Sequence, residues 1–226
     1  MIQKPLPLTF GLLFWIAFVV SIYAKITSNY PLDNIVVPFI TISLIVCYAL
    51  MGGKDYILYF SFMFCLIGDL MVMSDNFFYF SSGLTSYWGA CVLFNSALYR
   101  EKKTSLYTLL RIPKMVLPFA IYLIYLVLLM SSIQSHLGDL FIPILVYAAT
   151  LSFTCALSFV VYMEEKTRGP LYLCIATFSL SIAGSLIGLN RFYFDHDSYR
   201  VFETLFYSPT LYLIFIYFKE RIKYAI

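Results

Sequence analysis

Long apolar stretches, each close to the length of a helix that crosses a bilayer, follow one another along nearly the whole chain. Hydrophobic residues make up 62% of the chain and charged residues only 12%, and the mean hydropathy is +0.85. A soluble domain of 226 residues needs far more polar surface than this to cover its core. Because about 20 helical residues cross the hydrocarbon layer, the sequence predicts an all-α, polytopic integral membrane protein.

Eight such segments are predicted as transmembrane helices of a single domain that covers residues 1–226. The segments are 8–24, 34–51, 56–73, 77–99, 115–132, 140–163, 170–190 and 201–218. The first apolar run is long for the hydrophobic part of a signal peptide, and no small-x-small cleavage motif follows it, so we expect a retained helix. The longest connection has 15 residues, which leaves no room for a soluble domain.

The positive charges are distributed unevenly between the two ends of the predicted helices. With eight spans both chain termini lie on one side, and that side collects twelve of the fifteen Lys and Arg residues. Only Lys25, Arg191 and Arg200 lie on the other side. Since loops rich in Lys and Arg stay in the cytoplasm, we expect both termini there, in the cytoplasmic (inner) membrane if the protein is bacterial. The net charge of +3 therefore reflects topology and gives no reason to expect a nucleic-acid partner.

Neither a metal nor a cofactor is predicted. All five cysteines lie inside predicted spans without metal-ligand spacing, and no Gly-rich phosphate loop, HExxH motif or GxSxG motif occurs. The Asp-His-Asp triplet at 195–197 is a weak exception, because His136 is the only other histidine in the chain. The sequence does not indicate an oligomeric state.

One carboxylate, Asp69, lies well inside an apolar segment, and no other charge occurs between Asp55 and Asp75. It lies 14 residues from Asp55, or about 21 Å along a helix. A lipid-facing Asp at this depth is unfavourable by about 2–3 kcal/mol, so we expect Asp69 to face the interior of the bundle, with Gly68 allowing close helix approach. Two interpretations remain open: a hydrogen bond that fixes helix packing, or a functional site.

Other predicted helices carry small and polar residues at helical spacing. These stripes are Tyr147, Thr150, Thr154 and Ser158; Thr177, Ser181, Gly184 and Gly188; and Glu203, Tyr207 and Thr210. Such stripes are more often packing seams than binding sites. Glu203 also lies close in sequence to two arginines, where an ion pair at the membrane surface is the ordinary explanation.

Five blocks of sequence, taken in order, resemble the YhhN-type lysoplasmalogenase family. The blocks are FSFMFCLIGDLMVM, FSSGLTSYWGACVLFNSALY, VYAATLS, SIAGSLIGLNRFYF and FYSPTLYLIFIY. The resemblance extends from the third to the eighth predicted segment. Members of the family cleave the vinyl ether bond of lysoplasmalogens to a fatty aldehyde and a glycerophospho-alcohol. The resemblance thus implies a membrane lipid or lysolipid as partner and a reaction in a polar cavity inside the bilayer.

The family pattern is partly kept in this chain. The Gly-Asp pair of the third segment is present as Gly68 and Asp69, and the Asn-basic-aromatic sequence after the seventh segment begins with Asn190 and Arg191. Tyr87 keeps the aromatic position of the fourth segment. If the family's chemistry is kept, the resemblance assigns acid–base chemistry to Asp69.

Other family positions are changed. The family's histidine and tyrosine in the fourth segment are Cys91 and Phe94 here. The second carboxylate, in the seventh segment, is replaced by Gly184, and a glutamine in the last segment by Thr210. These changes leave Glu203 as the one candidate for a displaced second carboxylate.

Three functions follow as hypotheses. The first is a hydrolase of ether lysolipids with Asp69 as general acid or base. The second is a non-catalytic member of the family that binds a lipid or another amphiphile, an interpretation that the lost carboxylate favours. The third is a small transporter that uses Asp69 for proton coupling. The candidate cavity residues are Gly68, Tyr87, Cys91, Tyr147, Gly184, Asn190, Arg191, Tyr207 and Thr210.

Overall fold

The structure is a computed structural model that describes residues 5–74, 76–101, 112–194 and 196–222. These ranges contain helices and no β-strand, which confirms the all-α prediction. The long helices are α1 (Pro5–Ile26), α2 (Tyr30–Leu50), α3 (Tyr56–Val72), α4 (Phe77–Glu101), α5 (Pro113–Leu137), α6 (Phe141–Glu165), α7 (Arg168–Leu189) and α8 (Asp197–Ile222). A short 3₁₀ helix (Gly138–Leu140) joins α5 to α6, and a π-helix (Asn190–Phe194) extends α7.

Local sequence signals set several helix ends. The Asn29 side chain accepts a hydrogen bond from the Leu32 backbone N–H and caps α2, and the Asp55 side chain caps α3 in the same way. Between these two helices Gly52 takes a positive φ of 79°, a conformation that favours glycine. Short connections of this kind place consecutive helices side by side and antiparallel.

Five stretches of the described chain are long and apolar enough to cross a membrane. They are Thr9–Ile26, Tyr30–Leu50, Val116–Glu165, Arg168–Phe194 and Ser198–Arg221. The prediction of eight transmembrane helices is therefore not supported as a count, although a long helix overlaps each predicted segment. Three features explain the difference. Helices α5 and α6 fall together in the single 50-residue stretch Val116–Glu165. Helix α3 has only 17 residues, and α4 carries many Ser, Thr, Tyr and Asn side chains that lower its apolar character. The fold remains that of an integral membrane protein.

Seven of the helices form a closed ring. Following the chain, α1 packs on α2, α2 on α3, α3 on α4, α4 on α6, α6 on α7, α7 on α8, and α8 returns to α1. Helix α5 lies outside this ring and packs mainly on α6. Its outer face is apolar and more than half exposed at Leu117, Ile121 and Leu128, which suits contact with lipid chains.

The interior of the ring is divided into an apolar half and a polar half. Side chains from all seven ring helices fill the half that contains the start of α1 and the end of α8. Phe14, Phe62, Leu157 and Ile214 are among the fully buried residues of this core. The other half, at the end of α1 and the start of α8, contains the cavity described next.

Candidate functional site

A cavity of about 680 Å³ lies at the end of the ring opposite the apolar core. Six of the ring helices contribute to it, and the π-helix adds two further side chains. The charged and polar residues that line it are Lys25, Tyr30, Asp33, Asn34, Asp69, Tyr87, Asn190, Arg191, Arg200, Glu203, Thr204, Tyr207 and Ser208. Burying polar and charged groups at membrane depth is unfavourable in free energy, and such groups therefore mark functional sites. This cavity is accordingly the candidate functional site.

Asp69 lies on the wall of this cavity and is only 5% exposed. Its Oδ2 accepts a hydrogen bond of 3.0 Å from the Thr41 hydroxyl of α2, and its Oδ1 accepts one of 2.7 Å from the Tyr87 hydroxyl of α4. Hydrogen bonds to a charged group contribute about 1.5–3 kcal/mol each. The carboxyl is therefore held in one orientation by two neighbouring helices.

The ring of Tyr87 occupies the space that a side chain at residue 68 would take. A Cβ atom built on Gly68 would lie 2.6 Å from Tyr87 Cε1, closer than any normal contact. On its other side Tyr87 packs edge-to-face with Tyr207, with ring centroids 6.1 Å apart. The absence of a side chain at Gly68 thus allows Tyr87 to reach Asp69, one residue further along the same helix.

We expect Gly68→Ala to displace Tyr87 and to lower the stability of the folded protein by about 1–3 kcal/mol, as overpacking does. The measurement is thermal unfolding of the purified protein in detergent. Gly188→Ala is the matched control, because a Cβ there meets only Ile133 at an ordinary 3.8 Å. Equal melting temperatures for the two variants would show that the Tyr87 ring does not depend on Gly68.

The opening of the cavity is crossed by charges of both signs. Lys25 at the end of α1 forms an ion pair of 3.4 Å with Asp33 in the first turn of α2, and Asp33 also accepts a 2.6 Å hydrogen bond from Ser21. Glu203 of α8 lies within electrostatic reach of Lys25, Asp33 and Arg200. It is one helical turn from Tyr207, whose hydroxyl lies beside the Asp69 carboxylate. The cavity therefore brings together Asp69 and Glu203, the two carboxylates named from the sequence.

The π-helix at the end of α7 adds Asn190 and Arg191 to the same wall. The Arg191 guanidinium lies 4.1 Å from the centre of the Phe80 ring, and the Asn190 side chain accepts a 2.8 Å hydrogen bond from the His196 backbone N–H. On the other side of the cavity Arg200 lies over the Tyr30 ring at 4.9 Å. Aromatic faces thus hold both arginines at the cavity.

Five of the residues predicted for the cavity lie away from its walls. Cys91 packs with Leu151 and Cys155 in a separate apolar cluster, and the Thr210 hydroxyl donates to backbone carbonyls of α7 and α8. Tyr147 and Gly184 line a second, small apolar cavity of about 40 Å³ between α5, α6 and α7. Gly68 acts indirectly, by leaving room for Tyr87. A side chain at 184 would contact Leu151 and Tyr147, so this position does not face Asp69.

Sequence reasoning missed several cavity residues, chiefly on α2. Asp33 falls in a predicted loop, but the helix begins at Tyr30 and buries it. Thr41 donates a hydrogen bond to Asp69 from the second predicted segment, which was not predicted to contribute to the cavity. The available signal was the spacing of Asp33, Val37 and Thr41 at i, i+4 and i+8, which places all three on one face of a helix.

Among the residues that the structure describes, no group of three or more His, Cys, Asp or Glu side chains could hold a metal ion. Asp195, the first residue of the Asp-His-Asp triplet, lies outside those residues. The chemistry that the cavity offers is therefore that of carboxyl, hydroxyl, amide and basic side chains. Carboxyl groups can give and take protons, and the basic groups can bind an anion.

Together the fold and the site define an integral membrane protein with a helical ring and a carboxyl-lined polar cavity at one end. The chain belongs to the YhhN family, whose family model matches residues 32–216. This match confirms the resemblance to the YhhN-type lysoplasmalogenase family. No curated protein and no solved structure matches the chain.

Proposed function

We propose that the protein hydrolyses the vinyl ether bond of lysoplasmalogen-type lysolipids in the cavity that contains Asp69 and Glu203. The observation that carries the proposal is that these two carboxylates line one cavity inside a member of the YhhN family. The family's second carboxylate is absent at position 184, which faces Leu151 and Tyr147 and not the cavity. Glu203 supplies the second carboxyl group from a different helix.

The reaction is an addition of water without oxidation or reduction. A carboxylic acid gives its proton to the vinyl carbon that is not bonded to oxygen, and the two electrons of the double bond form the new C–H bond. The positive charge is then shared between the other vinyl carbon and the ether oxygen. Water adds to that carbon and loses a proton to the second carboxylate. The resulting hemiacetal gives its hydroxyl proton to the glycerol oxygen as the C–O bond to glycerol breaks, which releases the aldehyde and the glycerophospho-alcohol.

We assign the proton donor to Asp69 and the acceptor of the water proton to Glu203. Asp69 is the more deeply placed of the two, since Glu203 lies one turn, about 6 Å, closer to the start of α8 than Tyr207 beside Asp69. Water reaches Glu203 among the charged groups of the opening. The basic groups Lys25, Arg191 and Arg200 line the same opening and suit the phosphate of a lysolipid.

Both termini are proposed to be cytoplasmic, with the cavity on the opposite side of the membrane. The support is the charge distribution, since twelve Lys and Arg residues belong to the side of the termini and three to the side of the cavity. The three are Lys25, Arg191 and Arg200, which line the cavity. A role in the site explains why these three basic residues occur on the side of the membrane that otherwise has few Lys and Arg residues.

The direct test is release of aldehyde from a lysoplasmalogen by the purified protein in detergent. We expect release well above the detergent blank, because both carboxyl groups are present in the cavity. The saturated alkyl ether of the same lysolipid is the matched control substrate; it has no double bond to protonate and should remain intact. No release from the vinyl ether would refute hydrolysis.

The second candidate function is binding of a lysolipid without hydrolysis. It is favoured by the departures from the family pattern at Cys91 and Gly184, both of which lie outside the cavity walls. In that case the protein would bind the vinyl ether and the alkyl ether lipids equally well and release no aldehyde from either. The same pair of substrates therefore separates the two functions.

A further inference from the structure

Two neighbouring residues on the cavity wall carry buried hydroxyl groups without a hydrogen-bond partner. Within the described ranges three buried side-chain polar atoms lack a partner: Tyr207 Oη, Ser208 Oγ and Asn95 Oδ1. Tyr207 and Ser208 line the large cavity, and Ser208 is only 1% exposed. A buried hydroxyl without a partner has lost its hydrogen bonds to water and gained none in return. Two of them on consecutive residues of α8, both lining one cavity, indicate a place where a ligand completes the bonding.

Ser208 differs from the other small hydroxyl residues of α8 in this respect. The Thr204 hydroxyl donates to the Arg200 carbonyl at 3.1 Å, and the Thr210 hydroxyl donates to the Phe206 carbonyl at 2.9 Å. Such bonds to the preceding helical turn are the usual arrangement for Ser and Thr inside helices. The Ser208 hydroxyl makes no bond of this kind and lies buried in the cavity wall.

The Tyr207 hydroxyl lies close to the Asp69 carboxylate and to the Cys65 thiol but makes no hydrogen bond of normal geometry to either. Both carboxylate oxygens already accept hydrogen bonds, one from Thr41 and one from Tyr87. The edge-to-face contact with Tyr87 fixes the Tyr207 ring in this position. The Tyr207 hydroxyl thus keeps both its donor and its acceptor capacity next to the proposed acid.

We propose that the hydroxyls of Tyr207 and Ser208 form a binding site for one neutral hydroxyl group next to Asp69. Each hydroxyl can donate one hydrogen bond and accept another, which matches a ligand group that does the same. Neither hydroxyl carries a charge, so a neutral group is the matching ligand. The inference rests on the proposed function for the source of the group, which is either the attacking water or the free hydroxyl on the glycerol of the lysolipid.

The first test compares stability and binding in Ser208→Ala. The probe is the saturated alkyl ether lysolipid, which binds without reacting, and its Kd is measured by calorimetry in detergent. If the hydroxyl group belongs to the lipid, we expect the variant to melt about 2–4 °C higher than the wild type without lipid and to bind the probe less tightly, because the Ser208 hydroxyl then gains its partner only in the complex. Ser158→Ala is the matched control: its hydroxyl is bonded to the Cys155 carbonyl and to Thr177, so we expect a lower melting temperature and an unchanged Kd.

The second test separates the two sources of the hydroxyl group. If it belongs to glycerol, the wild type binds the lysolipid about three- to tenfold more tightly than its 2-O-methyl derivative, and Ser208→Ala and Tyr207→Phe remove this preference. If it is water, the two probes bind alike, and both variants lower kcat for aldehyde release while KM stays constant. Either outcome supports the site.

Unchanged Kd, kcat and KM in both variants would overturn the site while leaving the proposed hydrolysis in place. Failure of the proposed hydrolysis would give a different set of results. In that case no protein, wild type included, releases aldehyde, and the preference for the free glycerol hydroxyl in the binding measurement still supports the site. No aldehyde and no such preference would overturn both.

Discussion

Replacing Asp69 by Asn is expected to reduce aldehyde release from lysoplasmalogen by about 10²–10⁴-fold, the usual contribution of a general acid. The amide has nearly the shape of the carboxyl, and its oxygen can still accept a hydrogen bond from Thr41 or Tyr87. It has no acidic proton to give to the vinyl carbon. We therefore expect kcat to fall while the melting temperature in detergent stays close to that of the wild type. Steady-state kinetics and thermal unfolding on the same preparation measure the two effects.

Asp55→Asn is the control for this result. Asp55 caps α3 at the opposite end from the cavity, and Asn is an equally good cap, so activity should not change. If Asp69→Asn kept the wild-type kcat, Asp69 would be a packing residue, as one interpretation of the sequence allowed. A large loss of stability in Asp69→Asn would point the same way, since it would show that the charge holds α2 and α4 in place.

Glu203→Gln is expected to lower kcat by about 10²-fold, at the lower end of the range for an acid–base group. The amide can still orient a water molecule but cannot take its proton. Because Glu203 lies among Lys25, Asp33 and Arg200, the change also alters the charge of the opening, so we expect KM for the lysolipid to change less than threefold in either direction. Rates at several lysolipid concentrations separate the two constants.

The matched variant for this second prediction is Glu165→Gln. Glu165 forms an ion pair of 3.5 Å with Arg221 at the far end of the bundle, so the same chemical change there should leave kcat unaltered. A Glu203→Gln protein that is fully active would remove the second carboxyl group from the mechanism. The water would then have to be activated by another group of the cavity, such as Asp33, which among the described residues is the remaining acidic one on its wall besides Asp69.

The helical architecture and the position of Asp69 could be predicted because both depend on local sequence. Apolar runs of membrane length define helices one at a time, and a lone carboxylate in such a run has to turn inward. Asp69 indeed lies on the cavity wall and is only 5% exposed. The number of transmembrane helices was harder to predict, because α3 is short and α4 is rich in polar side chains.

The full set of residues that line the cavity could not be predicted, because it depends on how each helix is rotated about its axis relative to its neighbours. Tyr87 and Cys91 are one turn apart on α4, yet one lines the cavity and the other packs in an apolar cluster. Gly184 occupies the position where the family pattern has a carboxylate, but this position faces the second, apolar cavity. The Lys25–Asp33 pair joins two helices across a turn, so neither residue reveals its partner through helical periodicity.

The apolar core in the other half of the ring makes the cavity a dead end. A molecule that enters from the charged opening cannot pass beyond side chains such as Phe62, Leu157 and Ile214 without moving fully buried groups of several helices. In the part of the chain that the structure describes, this core closes the path through the ring beyond the cavity. A hydrolase of this design would work continuously in an energised membrane without discharging the ion gradients on which the cell depends.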